Sequence, residues 1–166
     1  MAIKLLIIGG VAGGATAAAR ARRLNEQAEI ILFERGRHIS FANCGLPYYI
    51  GGIIERRSDL LVTTREAFMK RYRIDVRIGS QVLAIDRAER QVLVRDLTSG
   101  QEYREPYDKI ILAPGAEPLK PPIPGIDLEG IFHLLDIPDS DRINRLIDLQ
   151  RHEKAIVVGG GSSAWK

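Results

Sequence analysis

Cysteine is nearly absent. The 166-residue chain has one, Cys44. An internal disulfide is excluded, and a disulfide-stapled secreted scaffold with it. Long apolar runs are also missing. None approaches the ~20 residues that a membrane-spanning helix requires. The opening residues Met1-Ala2-Ile3-Lys4 run straight into an apolar segment, without the layout of a signal peptide. Charge of one sign is scarce as well. The net charge is +3, and the 24 basic residues are spread out apart from Arg20–Arg23 and Lys70–Arg73. That leaves no nucleic-acid footprint, while anionic ligands stay open. No metal site is read from the sequence. These absences point to a reducing cytoplasm.

What is present is the composition of a globular protein. Apolar residues make up 45% and charged residues 27%, enough for one domain of ordinary size to bury a core. Ile3 to Ile8 reads as a buried parallel strand. Gly9-Gly10-Val11-Ala12-Gly13-Gly14 follows, then an alanine-rich helix from Ala15 to Leu24. On the Gly-x-Gly-x-x-Gly frame Gly9 and Gly14 match, and Val11 takes the middle slot. A strand, glycine turn and helix place backbone N–H groups where a pyrophosphate can sit. A tight turn can also use glycine for packing alone. The next strand, Glu29 to Phe33, ends at Glu34, 25 positions after Gly9. An acid there suits the ribose hydroxyls of an adenine dinucleotide.

Residues 40 to 49, Ser-Phe-Ala-Asn-Cys-Gly-Leu-Pro-Tyr-Tyr, hold the single thiol, with the Ser40 hydroxyl and Asn43 amide just before it. A short helix is expected to begin near Cys44 and to end at Gly51-Gly52. A thiol at a helix start is favoured as a thiolate, which suits redox chemistry against a flavin. The plain alternative is a buried cysteine acting as a small hydrophobe. Thr63 and Glu66 have capping-box spacing for a helix through Tyr72, with Phe68 and Tyr72 on one face. Lys70, Arg71 and Arg73 read as its solvated end. Ile74–Ile78, Gln81–Asp86, Gln91–Asp96 and Gln101–Arg104 read as short strands of an antiparallel meander. Lys109–Leu112 is a further apolar strand, stopped by Ala113-Pro114-Gly115. Pro118, Pro121, Pro122 and Pro124 make an extended linker. A helix is expected over Asp139–His152 and a strand over Ala155–Val158. Gly159, Gly161 and Ala164 then fit a second dinucleotide turn. The residues after it, Ser162 to Lys166, show no helical pattern and read as a truncation, a frameshifted end or an added tail rather than a natural glycine-rich terminus.

These motifs resemble the single-cysteine branch of the FAD-dependent pyridine nucleotide–disulfide oxidoreductases, and within it the coenzyme A disulfide reductases, including rhodanese-fused forms. The residues that carry the resemblance are Gly9–Gly14, Ser40–Tyr49, Tyr107–Leu112 and Ala113–Ala116. The resemblance implies a Rossmann-like α/β FAD-binding domain with an antiparallel meander inserted. It implies an N-terminal part of that domain over 1–120, a linker and helix over 121–153, and the start of an NAD(P)H domain over 154–166. Gly9, Gly10, Val11, Ala12, Gly13 and Gly14 would hold the FAD pyrophosphate, and Glu34, with Arg35 beside it, the adenosine ribose. Val82 would meet the adenine through its backbone, and Ala113, Pro114 and Gly115 would also line the FAD site. Thr16, Arg20, Arg23, Ser40 and Asn43 fall where relatives contact coenzyme A. Arg20 stands where relatives can have glutamine and Tyr72 where they can have lysine.

Two-cysteine relatives place a second cysteine where Tyr49 stands. Cys44 therefore needs an external sulfur partner or oxidation to a sulfenic acid, and the resemblance implies the former, a mixed disulfide with coenzyme A, with NAD(P)H as the electron donor. The expected whole protein is a homodimer. The fragment alone is expected to turn over nothing. Two rivals are an NADH oxidase or peroxidase, or a CoA-dependent persulfide or polysulfide reductase. A third is a catalytically dead nucleotide-binding module.

Overall fold

The computed structural model describes residues 2–150 and 154–159. It divides into two compact units, Met1–Phe41 with Leu61–Gly115, and Ala42–Leu60 with the chain from Ala116 on. The first unit is an α/β structure. Its four-stranded parallel sheet has the order β3-β2-β1-β7. β1 is Lys4–Ile8, β2 Glu29–Glu34, β3 Asp75–Ile78 and β7 Lys109–Leu112. β2 pairs in parallel with β1 from Lys4↔Glu29 to Ile8↔Phe33. Ile7, Ile30 and Leu32 are buried against α1, Gly13–Leu24, and α3, Arg65–Tyr72. α1 turns Ala15, Ala18, Ala19 and Arg22 inward, the spacing of one helical face.

The opposite sheet face buries Leu6, Ile31 and Phe33 with Val92 and Val94 of a second, antiparallel sheet. That sheet is β4 Ser80–Asp86, β5 Gln91–Asp96 and β6 Glu102–Pro106 in consecutive order. The meander is as expected, with one correction. The candidate strand at Ile74–Ile78 does not belong to it. As β3 it extends the parallel sheet, with Leu32↔Val76 in register. Val76 is fully buried, so it reads the same in either sheet from sequence. The two hairpin turns are closed by aspartates. Asp86 accepts from the N–H groups of Ala88 and Glu89, and Asp96 from those of Thr98 and Ser99. α3 is capped one residue later than the spacing suggests. The Thr64 hydroxyl accepts from the Ala67 N–H at 3.2 Å, so Glu66 is not in capping-box position. Phe68 and Tyr72 do meet, with ring centroids 4.8 Å apart.

A charge network ties β1, β3 and β6 together. Glu105 pairs with Lys4 at 2.7 Å and with Arg77 at 2.6 Å. Arg77 also reaches Asp75 and the Tyr103 hydroxyl and lies 5.4 Å from the Phe33 ring centroid. Burial opposes the Arg77 charge, but the bonds to Tyr103, Asp75 and Glu105 more than reverse this and hold it above its usual range. Burial likewise opposes ionisation of Glu105, and the bonds from Lys4 and Arg77 win, holding its carboxyl below the ordinary value.

The second unit carries α2, Leu46–Ile50, and α4, Ile137–Gln150, which pack on each other. Gly51 and Gly52 end α2 as expected, Gly52 at φ +76. α4 starts with a reciprocal exchange. Asp136 accepts from the Asp139 N–H at 2.9 Å, and Asp139 from the Asp136 N–H at 3.2 Å. This is a capping box written with two aspartates. The expected strand at Ala155–Val158 does not form, and Ile156 and Val158 are 91% and 95% exposed. A parallel strand takes its hydrogen bonds from neighbours, and none lies alongside among the described residues. His152, Gly161, Ala164 and the tail 162–166 lie outside the described residues.

Candidate functional site

In the first unit the glycine turn is held by the strands on both sides. The Gly9 N–H donates to the Phe33 carbonyl at 2.8 Å. Gly9 has φ +95, and a Cβ there would lie 2.0 Å from the Ala113 carbonyl oxygen. At Gly14 a Cβ would lie 1.7 Å from the Gly9 oxygen. Both positions are therefore glycine because the fold demands it. Those two residues alone would serve a packing turn equally well.

Between them lies a helix start open to an anion. α1 begins at Gly13 with Ala12 at its cap, no side-chain cap bond and no acid in its first turn. Ala12 and Gly13 are exposed. A twelve-residue helix thus presents uncapped N–H groups at its positive end to solvent. That fits a pyrophosphate. Val11, the departure from the glycine frame, is half-buried beside them.

Glu34 ends β2 and turns back over the turn. Oε2 accepts from the Gly10 N–H at 2.7 Å, and Oε1 from the Gly36 N–H at 2.6 Å. A carboxylate offers about four lone-pair directions, so each oxygen keeps one for a further donor. Two hydroxyls of a ribose match that remainder. The Ser40 N–H donates to the Gly10 carbonyl at 3.0 Å, and Ser40 itself sits at φ +48, a left-handed conformation costly for serine. Ala113 donates to Ile8 at 2.8 Å. The exposed Pro114 and Gly115 follow it out of β7. The structure thus brings Gly9–Gly14, Glu34, Ser40 and Ala113 together. Arg35 is exposed next to Glu34. Val82 lies in the meander, its side chain against the Leu6–Phe33 core. The β4–β5 register shifts between Val82 and Ala84.

Thr16, Arg20 and Arg23 are exposed on α1, four and three residues apart, so they share one face. Arg22, between them in sequence, does something else. It is buried and donates to the carbonyls of Asn25, Glu26, Tyr72 and Arg73. It fastens the ends of α1 and α3, a role that the 3.6-residue period of the alanine face could have shown. A cleft lined by Arg22, Arg23, Glu26, Arg71, Tyr72 and Arg73 opens beside it. The Arg71 guanidinium lies 5.3 Å from the Tyr72 ring centroid, so a cation is present where Tyr72 replaces lysine.

In the second unit Asn43, Cys44 and Gly45 form a single 3-10 turn ahead of α2. Asn43 and Cys44 are exposed, and the neighbouring Gly45 and Leu46 are buried. The reading of Cys44 as a buried small hydrophobe is excluded by this exposure. The sulfur is open to an external partner. Among the described residues no group of His, Cys, Asp and Glu could hold a metal ion. No helix among them is long and apolar enough to cross a membrane.

The profile of the pyridine nucleotide-disulphide oxidoreductases matches residues 3–165. The chain belongs to that family. It is 41% identical over 158 residues to a coenzyme A disulfide reductase of Staphylococcus haemolyticus, an alignment spanning 95% of this chain and 35% of the relative. Reduced Bacillus anthracis CoADR-RHD is a structural neighbour at TM-score 0.89 and 49% identity, over 91% of this chain and 27% of that one. An NAD-dependent persulfide reductase from A. fulgidus follows at TM-score 0.85 and 34% identity, over 89% and 28%. The chain therefore spans about a third of the length of the curated relatives it matches and about a quarter of the two solved chains.

Proposed function

We propose that this chain is the N-terminal portion of a flavoprotein that reduces coenzyme A disulfide through Cys44. The observation that carries it is the exposed lone thiol in a family member whose glycine turn is uncapped. FAD, when bound, supplies and relays two electrons from NAD(P)H. Gly9–Gly14 would hold its pyrophosphate on the α1 N–H groups, and the spare lone pairs of Glu34 would take the ribose. Arg35, Ala113, Pro114 and Gly115 would line the same site, with the Val82 backbone at the adenine.

Coenzyme A disulfide would lie along α1, its phosphates on Arg20, Arg23 and Arg71, with Thr16, Ser40 and Asn43 also in contact. The Cys44 thiolate attacks one sulfur, forming a mixed disulfide and releasing one coenzyme A thiolate. Two electrons and two protons then return Cys44 to the thiol state and release the second coenzyme A. With Tyr49 where two-cysteine relatives carry a resolving thiol, no internal disulfide competes. We place residues 1–120 in the FAD domain, 121–153 in a linker and helix, and 154–166 at the start of an NAD(P)H domain. The whole protein would be a cytoplasmic homodimer, and this span alone would not turn over. In the full-length enzyme, Cys44→Ser should abolish disulfide reduction while flavin absorbance near 450 nm persists. Retained turnover would rule out the thiol mechanism.

The likeness to a persulfide reductase favours one second reading, a CoA-linked persulfide or polysulfide acceptor at the same sulfur. Steady-state assays with coenzyme A disulfide, polysulfide and oxygen separate the acceptors.

A further inference from the structure

The segment that carries Cys44 cannot hold its own shape. α2 spans five residues, and its cap, Gly45, adds no side-chain bond. An isolated helix needs about 12–15 residues to persist. Ala42, at the cap of the cysteine turn, adds none either. The turn must therefore be placed by tertiary partners, and they form a continuous path. The Ala42 N–H donates to the Leu60 carbonyl at 2.8 Å. The buried Leu60 side chain fills the space beside Gly45, where a Cβ would lie 3.1 Å from Leu60 Cδ2 and 3.2 Å from Ile54 Cδ1. Leu60 closes the 3-10 turn Arg57–Leu60. At the other end of that turn, Arg57 Nε donates to Asp141 of α4, at 2.9 Å to Oδ2 and 3.1 Å to Oδ1. Asp141 stands just after the α4 capping box, whose Ile137, Asp139 and Ser140 are buried. A stiff, anchored helix end thus meets the cysteine segment in two ways, directly against α2 and through the Arg57 ion pair and the 3-10 turn.

We infer that Arg57 and Asp141 are positioning residues for Cys44, holding the turn at 57–60 on α4 and through Leu60 setting the attitude of the thiol-bearing turn. The inference rests on the reading of Cys44 as the reacting sulfur. Neither side chain touches a reacting atom in that reading. The pair is partly exposed, with side chains 43% and 30% accessible, so its effect is modest and falls with salt.

Cys44 is the only thiol, so iodoacetamide alkylation of the 166-residue chain reports on it alone. Arg57→Gln and Asp141→Asn should each raise the alkylation rate about threefold at low salt. The double variant should add little to either, and the swap Arg57→Asp with Asp141→Arg should restore the wild-type rate. Arg57→Lys keeps the charge and should stay near wild type. In 1 M NaCl the wild type should approach the variants, a shift that packing alone would not give. Rates unchanged by both single variants, or raised rates that the swap leaves raised, would overturn the inference. Turnover retained by Cys44→Ser in the full-length enzyme would instead sink the catalytic reading and leave the alkylation result to stand by itself.

Discussion

The glycine-turn unit and the cysteine-bearing unit are held together in different ways. The first closes two sheets and two helices around fully buried Leu6, Ile7, Leu32, Val76, Val92 and Val94. The second buries Leu46, Leu60 and Ile137 but leaves Leu119, Leu128 and Leu149 at 90%, 66% and 75% exposure. Its order near the thiol leans on backbone bonds and an ion pair rather than on a wide apolar core. A parallel sheet gives fixed, stiff positions for backbone donors and one carboxylate. The lone thiol instead sits on a short turn at the surface.

Truncating the cores sharpens this contrast most. Leu32→Ala should cost about 2–5 kcal/mol and lower the calorimetric transition of the first unit. Leu119→Ala should shift it by less than about 0.5 kcal/mol. Equal shifts would show that the two units do not differ in packing.

The next effect is electrostatic. Removing the Glu105 charge leaves Lys4 and Arg77 short of a partly buried partner, so Glu105→Gln should cost about 3 kcal/mol. The Glu105 carboxyl is depressed in the fold below its ordinary value of 4.5. Its contribution is therefore present above about pH 4.5 and is lost as pH falls through the lower folded value. Lys4 is shifted upward from 10.5: burial opposes its charge, and Glu105 and Glu29 outweigh it. Its contribution is present below that pH and fades above it. Acid unfolding followed by circular dichroism should show a shallower loss in Glu105→Gln than in wild type. An unchanged acid limb would remove Glu105 from the account.

A smaller loss, about 1–2 kcal/mol, is expected from Asp139→Asn. The substitution keeps the cap shape but drops the charge facing Arg142 and His133. Hydrogen exchange should then speed up in the first turn of α4 and leave β1 and β2 protected. Faster exchange in the sheet would mean that the units share one cooperative transition. The smallest change is a gain. Arg90 holds φ +50 at the end of the β4–β5 turn, so Arg90→Gly should stabilise by about 0.5 kcal/mol, read from a denaturant midpoint.

Much of the first unit was legible because its signals are local. Gly9 and Gly14 announce a backbone crossing, Glu34 ends a strand at the expected distance, and the turns at Glu89-Arg90 and Thr98-Ser99-Gly100 separate β4, β5 and β6. Arg22 was missed as a fastener because the basic run looks uniform, and only its place in period with Ala15, Ala18 and Ala19 sets it apart. The Lys4–Glu105–Arg77 network joins residues up to 101 positions apart, beyond any spacing rule. Thr64 rather than Thr63 caps α3 because backbone direction, not residue type, selects between adjacent hydroxyls.

The strand–glycine–helix opening, the acid at a strand end and the single thiol are written along the chain. These follow from backbone sterics, hydrophobic period and composition, which act over a few residues. Folding settled that β3 joins the parallel sheet, that Cys44 is exposed, and that Arg57 meets Asp141. Those outcomes depend on which apolar surfaces meet, and burial is a property of the assembled chain rather than of any segment.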